Sequence, residues 1–340
     1  MRVTDRTLSL EDRLRSLWDH LGLANAHVAT QVPGDLGGFA RQCPERIAGT
    51  ALCVPVRLDP AGFSAIANRV LLLAGAFGLT NAVTERAAAR LPGCRRVVLD
   101  GYDAPGWADV VADRTRELVD HLIGFMARHD ATTLSGPPRD GSHAGISYRI
   151  QGQGPALVLL PFFLAPSQWE PGIAILSRHF TVIVLGGRHL GGVAALEDRA
   201  RSDSYRRLVR TLLETIAPMP GQTILDVGCG SGALDRMLAR GPTADCTIMA
   251  TDLNPFLLPE AAALAREDGI GEAIRFRQAN AEALDLPDAS LDHAFTVTVL
   301  EECDADQALR EMYRVVRPGG RVGVIVRAID LPQWWHLDLP

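Results

Sequence analysis

Lysine is absent from this 340-residue chain: all 34 basic residues are arginine, and 40 acidic residues bring the formal net charge to -6. That balance argues against the concentrated positive patch with which a protein engages nucleic-acid phosphates. Cysteine is sparse and scattered, at 43, 53, 94, 229, 246 and 303. No CxxC pair or other metal-ligand spacing exists, so no metal is expected. Long apolar runs are missing too. The start, MRVTDRTLSLEDRLRSLWDHLGL, carries charges throughout, where a signal peptide needs an uninterrupted apolar core. No run reaches the length of a membrane span, and neither a repeat period nor a low-complexity tract is visible. These absences predict a cytoplasmic protein with free thiols, no nucleic-acid partner and no membrane contact. With 47% apolar and 22% charged residues the chain reads as globular, and its length allows two or three domains.

Composition divides the chain into blocks. Residues 1–129 alternate helical patterns with short apolar runs (SLEDRLRSLWDHLGL, AHVATQV, GTALCVPV, RVLLLAGA, TERAAARLPG, RRVVLDG), which favours a mostly parallel sheet covered by helices. Residues 130–145, DATTLSGPPRDGSHAG, lack apolar periodicity and read as a linker or long loop. Residues 146–195 give ISYRIQG, ALVLLP, an amphipathic SQWEPGIAILSRH and FTVIVLGG: strand, strand, helix, strand. Residues 196–217 read as one charged amphipathic helix ending at Pro218. The rest of the 196–340 block alternates five strands (TILDVG, CTIMATD, IRFRQAN, LDHAFTVT, RVGVIVR) with helices, the pattern of a doubly wound, Rossmann-like α/β sheet. Ligands of such sheets bind beyond the carboxyl ends of the strands, where the strand order reverses.

The first strand of that last block runs into Asp226-Val-Gly228-Cys-Gly230-Ser-Gly232. Glycines there let the backbone turn sharply and lie close to a ligand. The same residues, GCGSGA, also satisfy the GxGxxA dinucleotide fingerprint. Asp226, two residues ahead of the first glycine, would repel a pyrophosphate but attract a positively charged ligand end. Asp252 closes the second strand, placed to accept both hydroxyls of a ribose, a role open to either kind of nucleoside. The third strand ends in Asn280-Ala281-Glu282, whose polar groups suit the edge of a base.

Here ILDVGCGSG, ATDLNP, QANAEALDLPDASLD and VLEECDADQALREMYRVVRPGGRV together resemble the class I S-adenosylmethionine-dependent methyltransferases, in particular the small-molecule group that includes the ubiquinone-type methylases. The resemblance covers about residues 205–327. It implies S-adenosyl-L-methionine as cofactor, with Asp226, Gly228, Cys229, Gly230 and Ser231 around its methionine end. Asp252 would hold the ribose, Leu253 and Asn254 the adenosine side, Asn280, Ala281 and Glu282 the adenine, and Thr296 the site mouth. Family members often carry aspartate where Asn280 stands. Cys229 otherwise reads as a small loop residue, His293 as a packed or surface histidine, and Glu301 and Glu302 as a solvated helix start or a pair near the acceptor. Methyl transfer is an in-line displacement that needs a general base only when the acceptor arrives protonated. No residue takes a catalytic role from spacing alone. The family adds a helix and a strand pair after its fifth strand, where this sequence continues only through AIDLPQWWHLDLP; either the chain is a fragment or another element covers that sheet edge. Trp334 and Trp335 in this tail are expected to mark an apolar contact.

The first blocks resemble the α/β-hydrolase fold with its pieces in an unexpected order, the late half (1–129) preceding the early half (146–195). One sheet completed in permuted order would pair ALVLLP with AHVATQV. The hydrolase chemistry is missing: the nucleophile elbow is replaced by Val28-Ala-Thr30-Gln-Val32, the acid position meets Phe77 and Gly78, the histidine position meets Tyr102 and Asp103, and Pro161-Phe162 replaces the oxyanion loop. A fold kept without its triad serves as a scaffold, platform or dimerisation surface. Trp107, Trp169, Phe162 and Phe163 are then core aromatics or the lining of an apolar pocket. The whole predicts a methyltransferase acting on a small organic acceptor, with a homo-oligomer left open. Two rivals remain: a nicotinamide oxidoreductase on the same sheet, and a non-catalytic binding or interaction protein.

Overall fold

A computed structural model of the chain describes residues 8–103, 109–134, 137, 139–241 and 243–327. The chain divides into two compact units, Met1–Ala195 and Leu196–Pro340. Trp107, Trp334 and Trp335 lie outside the described residues.

The first unit runs α1 (Leu10–Leu21), β1 (Ala26–Thr30), α2 (Gly34–Gln42), β2 (Ile47–Cys53), β3 (Val70–Gly75), α3 (Gly78–Ala88), β4 (Arg95–Leu99), α4 (Val110–Asp113), α5 (Thr115–Met126), β5 (Arg139–His143), β6 (Ile146–Gly152), β7 (Ala156–Leu159), α6 (Glu170–Leu176) and β8 (Thr181–Gly186). The strands form one eight-stranded sheet in the order β4-β3-β2-β1-β7-β8-β6-β5. Its two sequence blocks meet where β1 pairs in parallel with β7, Val28 opposite Val158, which is the pairing of AHVATQV with ALVLLP. Strands such as β1, β2 and β3 are buried along their whole length, as expected when helices cover both faces. Side chains alternate between two cores: Val28 packs with Leu14, Trp18 and Phe39 on one face, and its neighbour Ala29 with Val119, Phe162 and Trp169 on the other. Trp169 and Phe162 meet edge to face at 4.9 Å, and the indole Nε1 donates to Leu160 O at 2.8 Å, so both are core aromatics. Phe163 is exposed at 36%.

Two sequence expectations need correction. The 130–145 segment is not simply a linker, because β5 within it pairs antiparallel with β6. As an edge strand it is held by backbone hydrogen bonds and buries none of its side chains fully, so it carries no apolar pattern to read. The single helix expected over 196–217 is two, α7 (Gly191–Arg201) and α8 (Asp203–Ile216). Ser202 separates them: its extended backbone and its Oγ, which accepts from Tyr205 N, make it the N-cap of α8.

His27 on β1 is fully buried, lies edge-on to Phe180, and no well-formed hydrogen bond reaches either ring nitrogen. Burial, followed by the neighbouring His129, lowers its pKa to about 4. The unfolded chain therefore binds this proton first as pH falls. The penalty begins near the unfolded value of about 6.5 and is complete below the folded one. Urea unfolding should show the first unit losing about 2 kcal/mol between pH 7 and pH 5 through this group. His27→Leu should flatten that slope; an unchanged slope would mean the buried ring is not its source.

The second unit continues with β9 (Thr223–Val227), α9 (Ala233–Leu238), β10 (Thr247–Asp252), α10 (Leu257–Glu267), β11 (Ile274–Gln278), β12 (Leu291–Val297), α11 (Ala305–Val315) and β13 (Val316–Ile325). Its five strands are parallel, in the order β11-β10-β9-β12-β13. The order reverses between β9 and β12, so the crevice falls beyond Val227 and Val297. Period-two alternation sends Ile224 to the core shared with Leu212, Leu234 and Leu238, and Leu225 to the core shared with Leu291, Met312 and Val315. Asp226 therefore points to the Ile224 face, the one that α9 covers.

Candidate functional site

After β9 the chain turns through Gly228-Cys229-Gly230. Gly228 has φ +87°, and a Cβ there would stand 2.2 Å from Val299 Cγ2, so only glycine fits. The backbone N–H groups of Gly228 and Cys229 both donate to Thr251 O, at 2.7 and 2.8 Å. Gly230 N–H donates to Asp252 Oδ2 at 2.8 Å, and Asn254 N–H to Asp252 Oδ1 at 2.8 Å. These bonds pin the bend to the carboxyl end of β10. A carboxylate offers about four lone-pair sites, so each oxygen of Asp252 keeps one for a further donor, a geometry suited to two adjacent hydroxyls.

Asp226, Gly228, Cys229 and Ser231 line one small cavity of about 20 Å³, with Leu196, Arg199 and Tyr205 over it. Leu196 Cδ1 lies 3.1 Å from where a Cβ on Gly230 would be. The Leu196 and Val299 side chains cover the bend. Leu253 is 63% exposed at the strand end. Asn254 turns the chain there, its Oδ1 accepting from Phe256 N. Asn280 is exposed; its Oδ1 accepts from Glu282 N, which leaves its amide NH₂ for a ligand. Ala281 is half-buried beside it.

Two expected site residues are engaged elsewhere. Glu282 accepts from the backbone N–H of Asp304, the N-cap of α11, at 2.9 Å, so its carboxylate fastens a helix instead of facing a base. Thr296 is not at a mouth: it is fully buried in β12 and its hydroxyl donates to Val227 O at 2.7 Å. Strand alternation turns it inward, which residue spacing alone did not reveal. His293 is a packed histidine between Gln222 and the backbone of Arg321. Glu301 and Glu302 both pair with Arg327.

The surroundings of the bend are acidic. Asp226 is buried, and burial followed by the charges of Asp235 and Asp252 raises its pKa well above the ordinary carboxylate range. The same surroundings push the Cys229 thiol up, burial first and the carboxylates after it, so Cys229 stays a neutral packed thiol. Below the bend lies a buried ion network. Arg236 donates to both oxygens of Glu197 at 2.6 Å, to Ser231 O at 2.7 Å and to Asp268 at 3.0 Å, and Ser231 Oγ donates to Glu197 at 2.8 Å. Asp235 and Glu197 were not singled out from the sequence. A charge between Leu234 and Leu238, on the sheet-facing side of a short helix, was the available signal for the first.

In the first unit the positions where hydrolase chemistry would sit hold other contacts. Gln31 is buried and its Oε1 accepts from the backbone N–H of Phe163 at 3.2 Å. The Tyr102 hydroxyl donates to Asp113 at 2.7 Å, Phe77 is exposed at 67%, and Asp103 is exposed. Among the described residues no group of three or more His, Cys, Asp or Glu is arranged to hold a metal ion, and no helix is long and apolar enough to cross a membrane.

Comparison with known proteins finds matches to part of the second unit. A ubiquinone/menaquinone biosynthesis C-methyltransferase UbiE of Hahella chejuensis is 41% identical over 36% of this chain and 49% of its own length. The UbiE of Vibrio parahaemolyticus is 33% identical over 38% of this chain and 51% of its own. The chain thus spans about half the length of the curated relatives it matches. The solved structure of the YcgJ protein from Bacillus subtilis covers 35% of this chain and 50% of that one at 25% identity, with a TM-score of 0.33. Residues 225–324 match the family model described as a methyltransferase domain.

Proposed function

We propose that the second unit binds S-adenosylmethionine and transfers its methyl group to a small organic acceptor. The observation that carries the reading is the pairing of a side-chain-free bend with Asp252, whose two oxygens each keep an acceptor site at the end of the neighbouring strand. When bound, the sulfonium supplies an activated methyl group. The chain's own part is binding and alignment: Asp252 for the ribose hydroxyls, Asn280 and Ala281 beside the base, Leu253 and Asn254 along the adenosine, and the acidic bend for the ammonium of the amino-acid end. Holding acceptor and methyl collinear and close supplies most of the acceleration such a displacement needs. The relatives' names point to a quinone-like ring as the first acceptor class to test.

The first unit fits an α/β-hydrolase-like sheet in permuted chain order, serving as a scaffold without a triad. Its strand order, with the late block (1–129) joined to the early block (146–195) through β1 and β7, supports this reading. So does Gln31, whose side chain occupies a backbone N–H that a hydrolase would offer to its substrate.

Calorimetry with S-adenosylhomocysteine tests the main reading, and micromolar binding is expected. Thermal stabilisation by NAD or NADP with none by S-adenosylhomocysteine would replace it with the oxidoreductase. Binding without methyl transfer to any acceptor in a quinone, phenol and amine panel would leave an interaction protein.

A further inference from the structure

We propose that Asp235 is a second carboxylate of the ammonium subsite, sharing one proton with Asp226 in the free protein and releasing it when the α-ammonium of the ligand's amino-acid end arrives. This role rests on the methyl-donor reading above and adds to it a binding residue on α9.

Asp235 is completely buried, and no well-formed hydrogen bond reaches either of its carboxylate oxygens. An isolated buried carboxylate costs several kcal/mol if ionised, so such a group is either protonated or placed for a cation. The group facing it is the carboxyl of Asp226, itself 2% exposed. Two facing carboxylates in a dry site do not both ionise, and the pair retains one proton.

Among the described residues no cation pairs directly with either carboxylate, although the charge of Arg236 nearby lowers the pKa of Asp235 in part. Arg236, adjacent on α9, spends its guanidinium on Glu197, Ser231 O and Asp268. Arg199 lies over the Tyr205 ring at 5.2 Å and donates to Thr298. The other groups around the pair add negative or neutral character: Asp252 from β10, the Cys229 thiol from the bend, and the Tyr205 phenol from α8. The missing partner is therefore a cation from outside. Asp226, Gly228 and Ser231 wall the small cavity where the reading above puts the methionine end, and Asp235 faces the Asp226 carboxyl without lining the cavity itself. A primary ammonium, with three donors and one positive charge, takes the place of the shared proton between the two carboxylates. On binding, the O–H bond of the shared proton breaks, the proton leaves to solvent, and the carboxylate pair accepts from the ammonium N–H groups.

The test is isothermal calorimetry of S-adenosylhomocysteine on the full chain, in buffers of different ionisation enthalpy. Burial pushes Asp235 up to about 7. At pH 6 the native protein should therefore release close to one proton per ligand, and its affinity should fall about tenfold per unit as pH drops further. Asp235→Asn should release less than the native protein and show a shallower pH dependence, since burial alone still raises Asp226, and it should bind more weakly than the native protein at pH 8 but no more weakly at pH 5.5. The native protein with the deaminated analogue of S-adenosylhomocysteine should release none, a measurement that stands even if the variant misfolds. Proton-neutral binding of S-adenosylhomocysteine to the native protein would overturn the shared proton while leaving the methyl-donor reading intact. Failure to bind S-adenosylhomocysteine at all would overturn both.

Discussion

Asp252→Ala should weaken S-adenosylhomocysteine binding by a factor of about a hundred to a thousand, while a chain retaining near-native affinity would undo the ribose assignment. Two hydrogen bonds from hydroxyls to a carboxylate contribute about 3 to 4 kcal/mol together, which is that range in affinity. The substitution has a second consequence. Gly230 N–H and Asn254 N–H both lose their acceptor, and with them the bend loses part of its attachment to β10. Asp252→Asn separates the two effects. Its remaining oxygen still accepts one backbone N–H, so its unfolding midpoint should stay closer to native while its affinity falls by an intermediate amount. If both variants lose affinity only in proportion to lost stability, the carboxylate acts through the bend and not on the ligand.

The second large effect concerns folding. Arg236→Met should destabilise the second unit by about 3 to 5 kcal/mol in urea unfolding, because it leaves Glu197 buried and ionised with its partner gone. Glu197 and Arg236 have side chains 6% and 5% exposed, so water cannot replace the lost bonds. Adding Glu197→Leu to the same chain should recover much of the loss, since an apolar pair of similar volume carries no uncompensated charge. A single variant within about 1 kcal/mol of native would mean that the network relaxes to solvent. Methyl transfer should also suffer in the single variant, because Ser231 hydrogen-bonds to both partners at the edge of the bend.

Periodicity and turn chemistry made much of this architecture legible in the sequence. ILDVGCGSG reads as strand and bend because apolar residues precede glycines that must adopt φ above zero. The end of β10 reads as a ligand position because an acidic residue closes an apolar run. The pairing of AHVATQV with ALVLLP was expected only through the resemblance of the two blocks to halves of one permuted sheet, because His27, Thr30 and Gln31 leave the first strand without a purely apolar pattern to read. Elements with little apolar content were not legible. Strand β5 is held by backbone bonds at a sheet edge, and the break at Ser202 depends on one side-chain cap.

By itself the sequence determined the local chemistry: which residues turn sharply, which strands are buried, and which acidic groups close them. Those properties depend on a residue and its few neighbours along the chain. Tertiary structure alone decided how the polar groups are spent, sending Glu282 to cap α11, turning Thr296 into the core, joining Glu197 to Arg236, and setting Asp235 against Asp226. A hydrogen bond or a shared proton needs two groups at contact distance, and for residues far apart in the chain only the packed fold brings them there.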